Sequence, residues 1–332
     1  MRIAVTGGTG FVGAYSVSAL IAAGHQVRLL VHPSDSVGHA LTPLGVVLDP
    51  ASIVSGDVCD PAAVAELLDG CDAVLHAAGI VGVDERRAQA MWDVNVTATA
   101  SVLGRAAALG LDPIVHVASY SALFPCPDPV MGPDSPTAIG RSAYGRTKAT
   151  ADRIARALQH AGAPVVITYP SSVVGPPAGN ARGVTADGWA PMLRFGVAVS
   201  FDGGMAMIDV RDVADVHAAV MEPGRGPRRY MCGGEMIPFN ELIDVLEAAG
   251  GRPIRRLRLS PGVLRAAGRA ADVAAKLLPF PPGFSFEAAW LLTAATPTDD
   301  SRTLTELGLS RRPVRRSLAD SVIRPADRTA VR

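Results

Sequence analysis

The chain has 332 residues, 48% of them hydrophobic and 19% charged, a composition that supports a sizeable buried core and excludes an intrinsically disordered chain. Lys plus Arg and Asp plus Glu each number 31, so the net charge is zero, and neither a basic field for nucleic acid nor an acidic one is implied. The length suits one large domain or a core domain with a smaller appendage. Zero net charge with a mean hydropathy of +0.26 favours self-association, a homodimer being its simplest form. Cys59, Cys71, Cys126 and Cys232 form no CxxC pair and have no clustered His, so neither a metal site nor a disulfide framework is expected. A strand-like run begins at residue 2 with no secretory pattern, which leads to a cytoplasmic expectation. No apolar run reaches the roughly 20 residues of a membrane span. The nearest, 277–298, is interrupted by prolines and Glu287 and reads as helix and loop covering a pocket, or at most as a surface touching lipid.

In chain order, a β-rich run over Arg2–Thr6 feeds Gly7-Gly8-Thr9-Gly10-Phe11-Val12-Gly13, and an apolar-periodic helix follows over 11–23, stopped by Gly24. Strand, glycine loop and helix are the context that a phosphate cradle needs. Gly7 permits the tight turn, Gly10 lets backbone approach a pyrophosphate, and Gly13 lets the helix pack close on the strand. Unpaired N–H groups at the helix start would meet the phosphate oxygens. The second strand is Gln26–Val31. An acidic residue at its end would bind the ribose hydroxyl of NAD, a basic one the 2′-phosphate of NADP. Here stands His32-Pro33-Ser34-Asp35, with Asp35 in the turn beyond. His32 and Ser34 can donate to a phosphate, so NADP is slightly favoured over NAD; the alternative is a solvated turn.

A third strand is expected over 52–55, then Gly56-Asp57 and a helix opening at Asp60-Pro61, with Pro at the first helical position. Asp57 is placed to meet an adenine edge or to cap a turn. The fourth strand, Ala73–His76, ends in Ala77-Ala78-Gly79, where small residues let a flat cofactor lie against backbone. A long helix is expected over 85–110. Asn95 within it either bridges a water or backbone carbonyl near the site or faces solvent. The fifth strand, 113–118, leads to Ser119-Tyr120-Ser121 at its C-terminal end, the edge where open α/β sheets bind ligands. A Pro-rich loop precedes a helix over Ala143–His160, with a buried stripe at 147, 151, 154, 155 and 158. The sixth strand is 164–168. Strands alternating with helices predict an α/β fold, a doubly wound parallel sheet of Rossmann type. After Pro170 the pattern turns irregular. Asp209 opens a further helix, and short strands and helices follow from 227, with a basic stretch at 252–258 read as a solvated strand or turn face.

Tyr144 and Lys148 stand four apart, on one face of a helix. At about 4 Å and an effective dielectric near 20, an ammonium beside a phenolate is worth roughly 4 kcal/mol, enough to bring a phenol from about 10 towards about 7. Such a tyrosine can exchange a proton with a substrate oxygen at neutral pH.

Taken together these residues resemble the extended short-chain dehydrogenase/reductase family, from residue 1 to about 323. Thr6 to Gly13 is similar to its TGxxGxxG loop, Gly56-Asp57 to its adenine-side aspartate, His76 to Gly79 to its strand-end motif, and Ser119, Tyr144 and Lys148 to its catalytic set. Pro170 to Pro176 resembles its RPxxVxGP turn, and the stretch from Asp300 to Leu318 resembles the C-terminal end of the dihydroflavonol-4-reductase and 3β-hydroxysteroid dehydrogenase branch. The resemblance implies a Rossmann domain over 1–170 with 208–226 returning to it, a smaller α/β substrate-binding region over 171–207 and 227–323, and a polar tail at 324–332. It implies an oxidoreductase that reduces a ketone or aldehyde, or oxidises a secondary alcohol, by hydride transfer; the apolar make-up of the irregular stretches favours a moderately apolar substrate. The implied cofactor contacts are Thr6, Gly7, Gly10, Phe11, Val12, Gly13, His32, Asp57, Val58, His76, Ala77, Ala78, Gly79, Asn95, Tyr144, Lys148, Pro170, Ser172 and Val173. Alternatives within the resemblance are a nucleotide-sugar epimerase or dehydratase and a non-catalytic NADP sensor. Ala118 departs from the family's usual serine pair, and Ser121 offers a second candidate beside Ser119. Tyr169 stands where the turn has arginine, and Phe124-Pro125 where nucleotide-sugar epimerases have Tyr-Gly; both weigh against a sugar nucleotide. Pocket walls are expected from the irregular stretches, with Trp189, Met192, Phe195 and Phe284 as lining or as lid core.

Overall fold

The computed structural model describes residues 1–82, 84–179, 181–275 and 284–322; the expected polar tail and part of 277–298 lie outside the described residues. Strand and helix alternate through the first half: β1 (Arg2–Thr6), α1 (Phe11–Ala22), β2 (Gln26–Val31), α2 (Val37–Leu41), β3 (Ile53–Ser55), α3 (Pro61–Leu68), β4 (Ala73–His76), α4 (Ala88–Trp92), α5 (Thr99–Ala108), β5 (Ile114–Val117), α6 (Ala143–His160) and β6 (Val165–Pro170). The chain continues through β7 (Ser172–Val174), α7 (Val184–Phe195), β8 (Val197–Ser200), β9 (Gly204–Asp209), α8 (Val210–Ala219), β10 (Arg228–Cys232), β11 (Glu235–Pro238), α9 (Phe239–Gly250), β12 (Arg255–Arg258) and α10 (Pro261–Ala275). Then come α11 (Phe286–Thr293), α12 (Ser301–Leu307) and α13 (Val314–Asp320).

Seven strands form one parallel sheet in the order β10-β6-β5-β4-β1-β2-β3. Side chains alternate across it. Ile3 and Val5 join a core with Val17 and Leu20 of α1 and Val213 and Val216 of α8. Ala4 faces the other way, into a core with Leu67 of α3, Leu103 of α5 and Ile167 of β6. Burial on both faces is why these strands read as Val, Ile and Leu runs. This is the doubly wound sheet expected from the alternation. The chain winds outward from β1 to β3, then returns across β1 to β4, β5 and β6. That reversal opens a crevice at the C-terminal ends of β1 and β4, the place where such sheets take ligands.

A second layer holds the three-stranded sheet β11-β9-β7, the two strands β12-β8 and a third core around Trp189, Phe201, Phe239 and Leu246. This layer bears on three sequence expectations. The stretch 227–323 was expected to serve the substrate, yet it begins with β10, a strand of the main sheet. Trp189 is only 4% exposed, and Met192 and Phe284 pack on the third core, which is the lid-core alternative, while Trp189 and Phe195, the latter 68% exposed at the end of α7, also border a surface cavity beside Arg194 and Arg252. The irregular stretch after Pro170 contains β7, α7, β8 and β9; its many Gly and Pro residues, with Pro191 inside α7, mask the strand–helix rhythm that marked the first half. The basic stretch does form an exposed strand, β12, with Arg256 paired to Asp244 at 2.5 Å and Arg258 to Asp202 at 3.3 Å. Among the described residues no helix is long and apolar enough to cross a membrane.

Two features of the helices set up the site. The segment expected as one helix over 85–110 changes to π geometry over Asp93–Ala98, between α4 and α5. The extra residue per turn rotates Asn95 inward, where it is 2% exposed. The α6 stripe is buried as expected at Thr147, Ala151 and Ala155. Beneath it Asp152 accepts from the Tyr169 hydroxyl at 2.6 Å and pairs with Arg156 at 2.9 Å. Tyr169 is fully buried in that pairing, and Phe124 is buried against Trp290 at 5.0 Å. Both departures from the family pattern are thus accommodated in the packing around α6 and α11.

Candidate functional site

The glycine loop is built as its spacing requires. Gly7 has φ +71°, and a Cβ there would lie 2.5 Å from the Ala78 amide; a Cβ on Gly13 would lie 2.0 Å from the Gly7 carbonyl oxygen. Gly10 donates its amide to that carbonyl at 3.0 Å and caps α1 with no side-chain bond, leaving the first helical amides open. Phe11 packs edge-on against Tyr15 at 5.9 Å, and Val12 is half-buried against the first core. Ala77, Ala78 and Gly79 run from β4 beside the loop, and the Ala77 amide bonds the Thr6 carbonyl at 3.1 Å.

Thr6 and His76, expected at the cofactor, have fully buried side chains. The Thr6 hydroxyl meets His76 Nδ1 at 2.8 Å, His76 Nε2 meets the Thr99 hydroxyl at 2.9 Å, and the Ala78 amide donates to Thr6 Oγ1 at 3.3 Å. The two hold β1 and β4 together under the crevice; their side chains do not line it. Burial drives His76 down to about 3, so it is neutral at physiological pH. Asn95 bridges a backbone carbonyl, one of its two expected roles: it donates to the Ile80 carbonyl at 2.9 Å and to the Thr147 hydroxyl at 3.1 Å, and accepts from the Ile80 amide at 2.8 Å. The strand-end loop is thereby tied to α6.

At the end of β2, His32 Nδ1 meets the Ser34 hydroxyl at 2.7 Å, and His32 Nε2 lies 3.9 Å from Asp57. Asp35 closes the turn beyond, as expected, its amide donating to the His32 carbonyl at 2.8 Å, and its carboxylate accepts from the Thr9 hydroxyl of the glycine loop at 2.6 Å. Asp57 caps the Cys59 amide at 2.9 Å, and Val58 packs on the second core. Two carboxylates therefore stand at this corner beside one histidine. Pro170 is buried as the last residue of β6, Val173 joins the first core, and Ser172 meets the Tyr120 hydroxyl at 3.4 Å.

The fold brings Tyr144 to both candidate serines. Ser119 ends the β5 edge in extended conformation, and its oxygen accepts from the Ser121 amide at 3.2 Å and the Ser121 hydroxyl at 2.8 Å. Both serines lie close enough to the Tyr144 phenol to favour its ionised form. The expected depression of that phenol by Lys148 is not what the site produces. Burial raises the Tyr144 pKa above 10, and the nearby serines offset this only in part. Lys148 turns its ammonium to the Val117 carbonyl at 3.5 Å, and burial lowers it to about 8. A Cβ on Gly79 would lie 3.5 Å from that ammonium.

The Lys148 shift gives a prediction. A folded pKa of about 8 against 10.5 means that the unfolded chain binds more protons between those values. Lys148 thus destabilises the fold fully below about pH 8, and the cost is relieved as pH rises towards 10.5. Lys148→Met should raise stability near neutrality by something on the order of 3 kcal/mol and abolish the rise between those pH values. Urea melts across that window check it; an unchanged pH slope would show that Lys148 is not desolvated.

Two residues at the site have no signal in the local sequence. Glu85 accepts the Ala143 amide at 2.6 Å and Glu287 accepts the Ser142 amide at 2.5 Å, both at the start of α6. Their partners lie 58 and 145 residues away, a pairing visible only once the chain is folded.

The model of the NAD dependent epimerase/dehydratase family matches residues 3–233. "Sterol demethylase protein B" of Methylococcus capsulatus is 30% identical over 97% of this chain and 97% of its own length. A "Putative dihydroflavonol 4-reductase" of Synechocystis is 27% identical over 96% of this chain and 92% of its own. Among solved structures, the UDP-glucose 4-epimerase of Bifidobacterium longum, in complex with NAD+ and UDP, covers 97% of this chain and 96% of its own with a TM-score of 0.73 at 20% identity, a likeness of fold.

Proposed function

The chain belongs to the NAD dependent epimerase/dehydratase family, and on that premise we propose that it is a nicotinamide-dependent oxidoreductase that reduces a ketone or aldehyde, or oxidises the matching secondary alcohol. The observation that carries the reading is the placement of a bonded Ser119–Ser121 hydroxyl pair at the end of β5 beside Tyr144, which stands one helical turn from Lys148 on α6. The residues fit the cofactor: Gly7 and Gly13 leave no room for a Cβ, and the uncapped start of α1 suits a pyrophosphate. Gly7, Gly10 and Gly13 would hold the phosphates, with Ala77 to Gly79, Tyr144 and Lys148 beside the nicotinamide half. The cofactor, when bound, supplies or accepts hydride.

The chain's own side chains do the rest. Ser119 or Ser121 orients the substrate oxygen by a hydrogen bond. Tyr144 gives that oxygen a proton in reduction and removes one in oxidation. Burial favours the protonated phenol, the form that donates to a carbonyl oxygen. At the β2 corner, His32 and Ser34 can donate to a 2′-phosphate, but Asp35 and Asp57 repel it, and we read the balance as favouring NAD. We assign substrate binding to 171–207 and to the segment from β11 through α11, with a moderately apolar carbonyl compound as substrate. That class accords with the names of the two relatives.

The test is a titration with NADH and NADPH by fluorescence, followed by a panel of ketones and aldehydes with UDP-glucose as a separate arm. One reduced cofactor consumed per carbonyl is expected. If neither dinucleotide binds, or if UDP-glucose is epimerised with no net cofactor change, the oxidoreductase reading is wrong.

A further inference from the structure

The amides at the start of a helix lack intrahelical partners, and at α6 two carboxylates from distant elements take them. Ser142 is the N-cap, and its hydroxyl accepts the Gly145 amide at 3.0 Å. Glu287, on α11, takes both the Ser142 amide at 2.5 Å and the Ser142 hydroxyl at 2.8 Å. A Cβ on Gly145 would stand 2.8 Å from Glu287 Oε1, so glycine there makes room for the carboxylate. Gly140, with φ +72°, packs directly on the Gly145 backbone. One turn along α11, Trp290 lies under the Arg141 guanidinium at 4.1 Å and against Phe124 at 5.0 Å. Arg141, Ser142 and Gly145 are thus all gripped by one face of α11, and Tyr144 lies among them.

We propose that Glu287 is a positioning residue for Tyr144, an inference that rests on the proton-transfer role proposed above. Ser119 and Ser121 are fixed by β5 and its following turn, so the phenol reaches them only if the first turn of α6 is held in register. Between Gly140 and Gly145, Arg141 stacks on Trp290 and Ser142 bonds Glu287, both on α11, and the Ser142–Glu287 pair is the one that acts at the N-cap itself. Because α11 belongs to the layer we assign to substrate, occupancy there is transmitted to the proton donor through this carboxylate.

The experiment compares Glu287→Ala and Glu287→Gln with the parent chain by ultraviolet difference titration of Tyr144, isolated by subtracting Tyr144→Phe, which needs no substrate. With the cap released, water reaches the phenol, and its midpoint should fall in Glu287→Ala from its raised value towards that of free tyrosine, with Glu287→Gln between the two. Turnover of the best carbonyl in the panel should fall about ten- to hundredfold with dinucleotide affinity unchanged, and Glu287→Ala should cost nothing further in a Tyr144→Phe background. An unmoved Tyr144 midpoint in a folded Glu287→Ala chain overturns the inference, as does a loss that multiplies with that of Tyr144→Phe. Full activity in Tyr144→Phe would instead remove the parent reading.

Discussion

Tyr144→Phe is expected to lower turnover about 100- to 10,000-fold while leaving dinucleotide affinity nearly intact. The substitution removes one oxygen from a half-buried ring at the crevice edge. The Ser119–Ser121 hydroxyl pair at 2.8 Å does not depend on it, so the remaining geometry survives. What disappears is the phenol beside both serines, the proposed proton donor. A loss of that size is about 3–5 kcal/mol in the barrier, well above what removing one hydrogen bond from the folded state would cost, about 1 kcal/mol. Single-turnover rates at saturating cofactor, beside a cofactor titration, separate the two effects. A Tyr144→Phe chain turning over at the parent rate would take Tyr144 out of the chemistry.

Gly7→Ala should damage both the fold and the crevice. The residue sits at φ +71°, where an L side chain costs about 1–2 kcal/mol. Its Cβ would also stand 2.5–2.7 Å from the Ala77 and Ala78 backbone, atoms held in place by the β1–β4 pairing. Forcing the two strand ends apart adds about 1–3 kcal/mol of overpacking at the place where the phosphates would lie. A clear fall in denaturant midpoint is expected, together with loss of saturable dinucleotide binding. Gly24→Ala is the control: its φ is +83°, but nothing lies within 4 Å of the added carbon. It should cost only the backbone penalty and leave binding unchanged. Equal effects from both substitutions would mean that the crowding at Gly7 is relieved by backbone movement.

The main sheet was legible because both of its faces are covered. β1, β2, β4 and α6 have the bounds that their periodicity predicts, since a doubly buried strand must be apolar throughout and a half-buried helix must repeat every three to four residues. The glycine loop was legible for a related reason: contact at 2.0–2.5 Å from a missing Cβ admits no other residue, so the spacing is written into the chain. The second layer was not. β7 and β8 lie in a Gly- and Pro-rich stretch without the strand–helix alternation that marked β4, and their pairing with β9 and β12 is non-local. The inward turn of Asn95 depends on a π segment that leaves no mark in residue type.

What the sequence determined by itself was the doubly wound sheet, the cradle of Gly7, Gly10 and Gly13, and the pairing of Tyr144 with Lys148 on one helix face. Only the tertiary structure decided how those groups are charged and held. Spacing predicted an ammonium lowering a phenol, whereas burial, a property of everything packed around the pair, raises the phenol and lowers the ammonium to about 8. It likewise decided that Thr6 and His76 brace the crevice from beneath and that Glu287 anchors the start of α6. Desolvation and contacts across 145 residues are sums over the folded surroundings, which no local stretch of chain encodes.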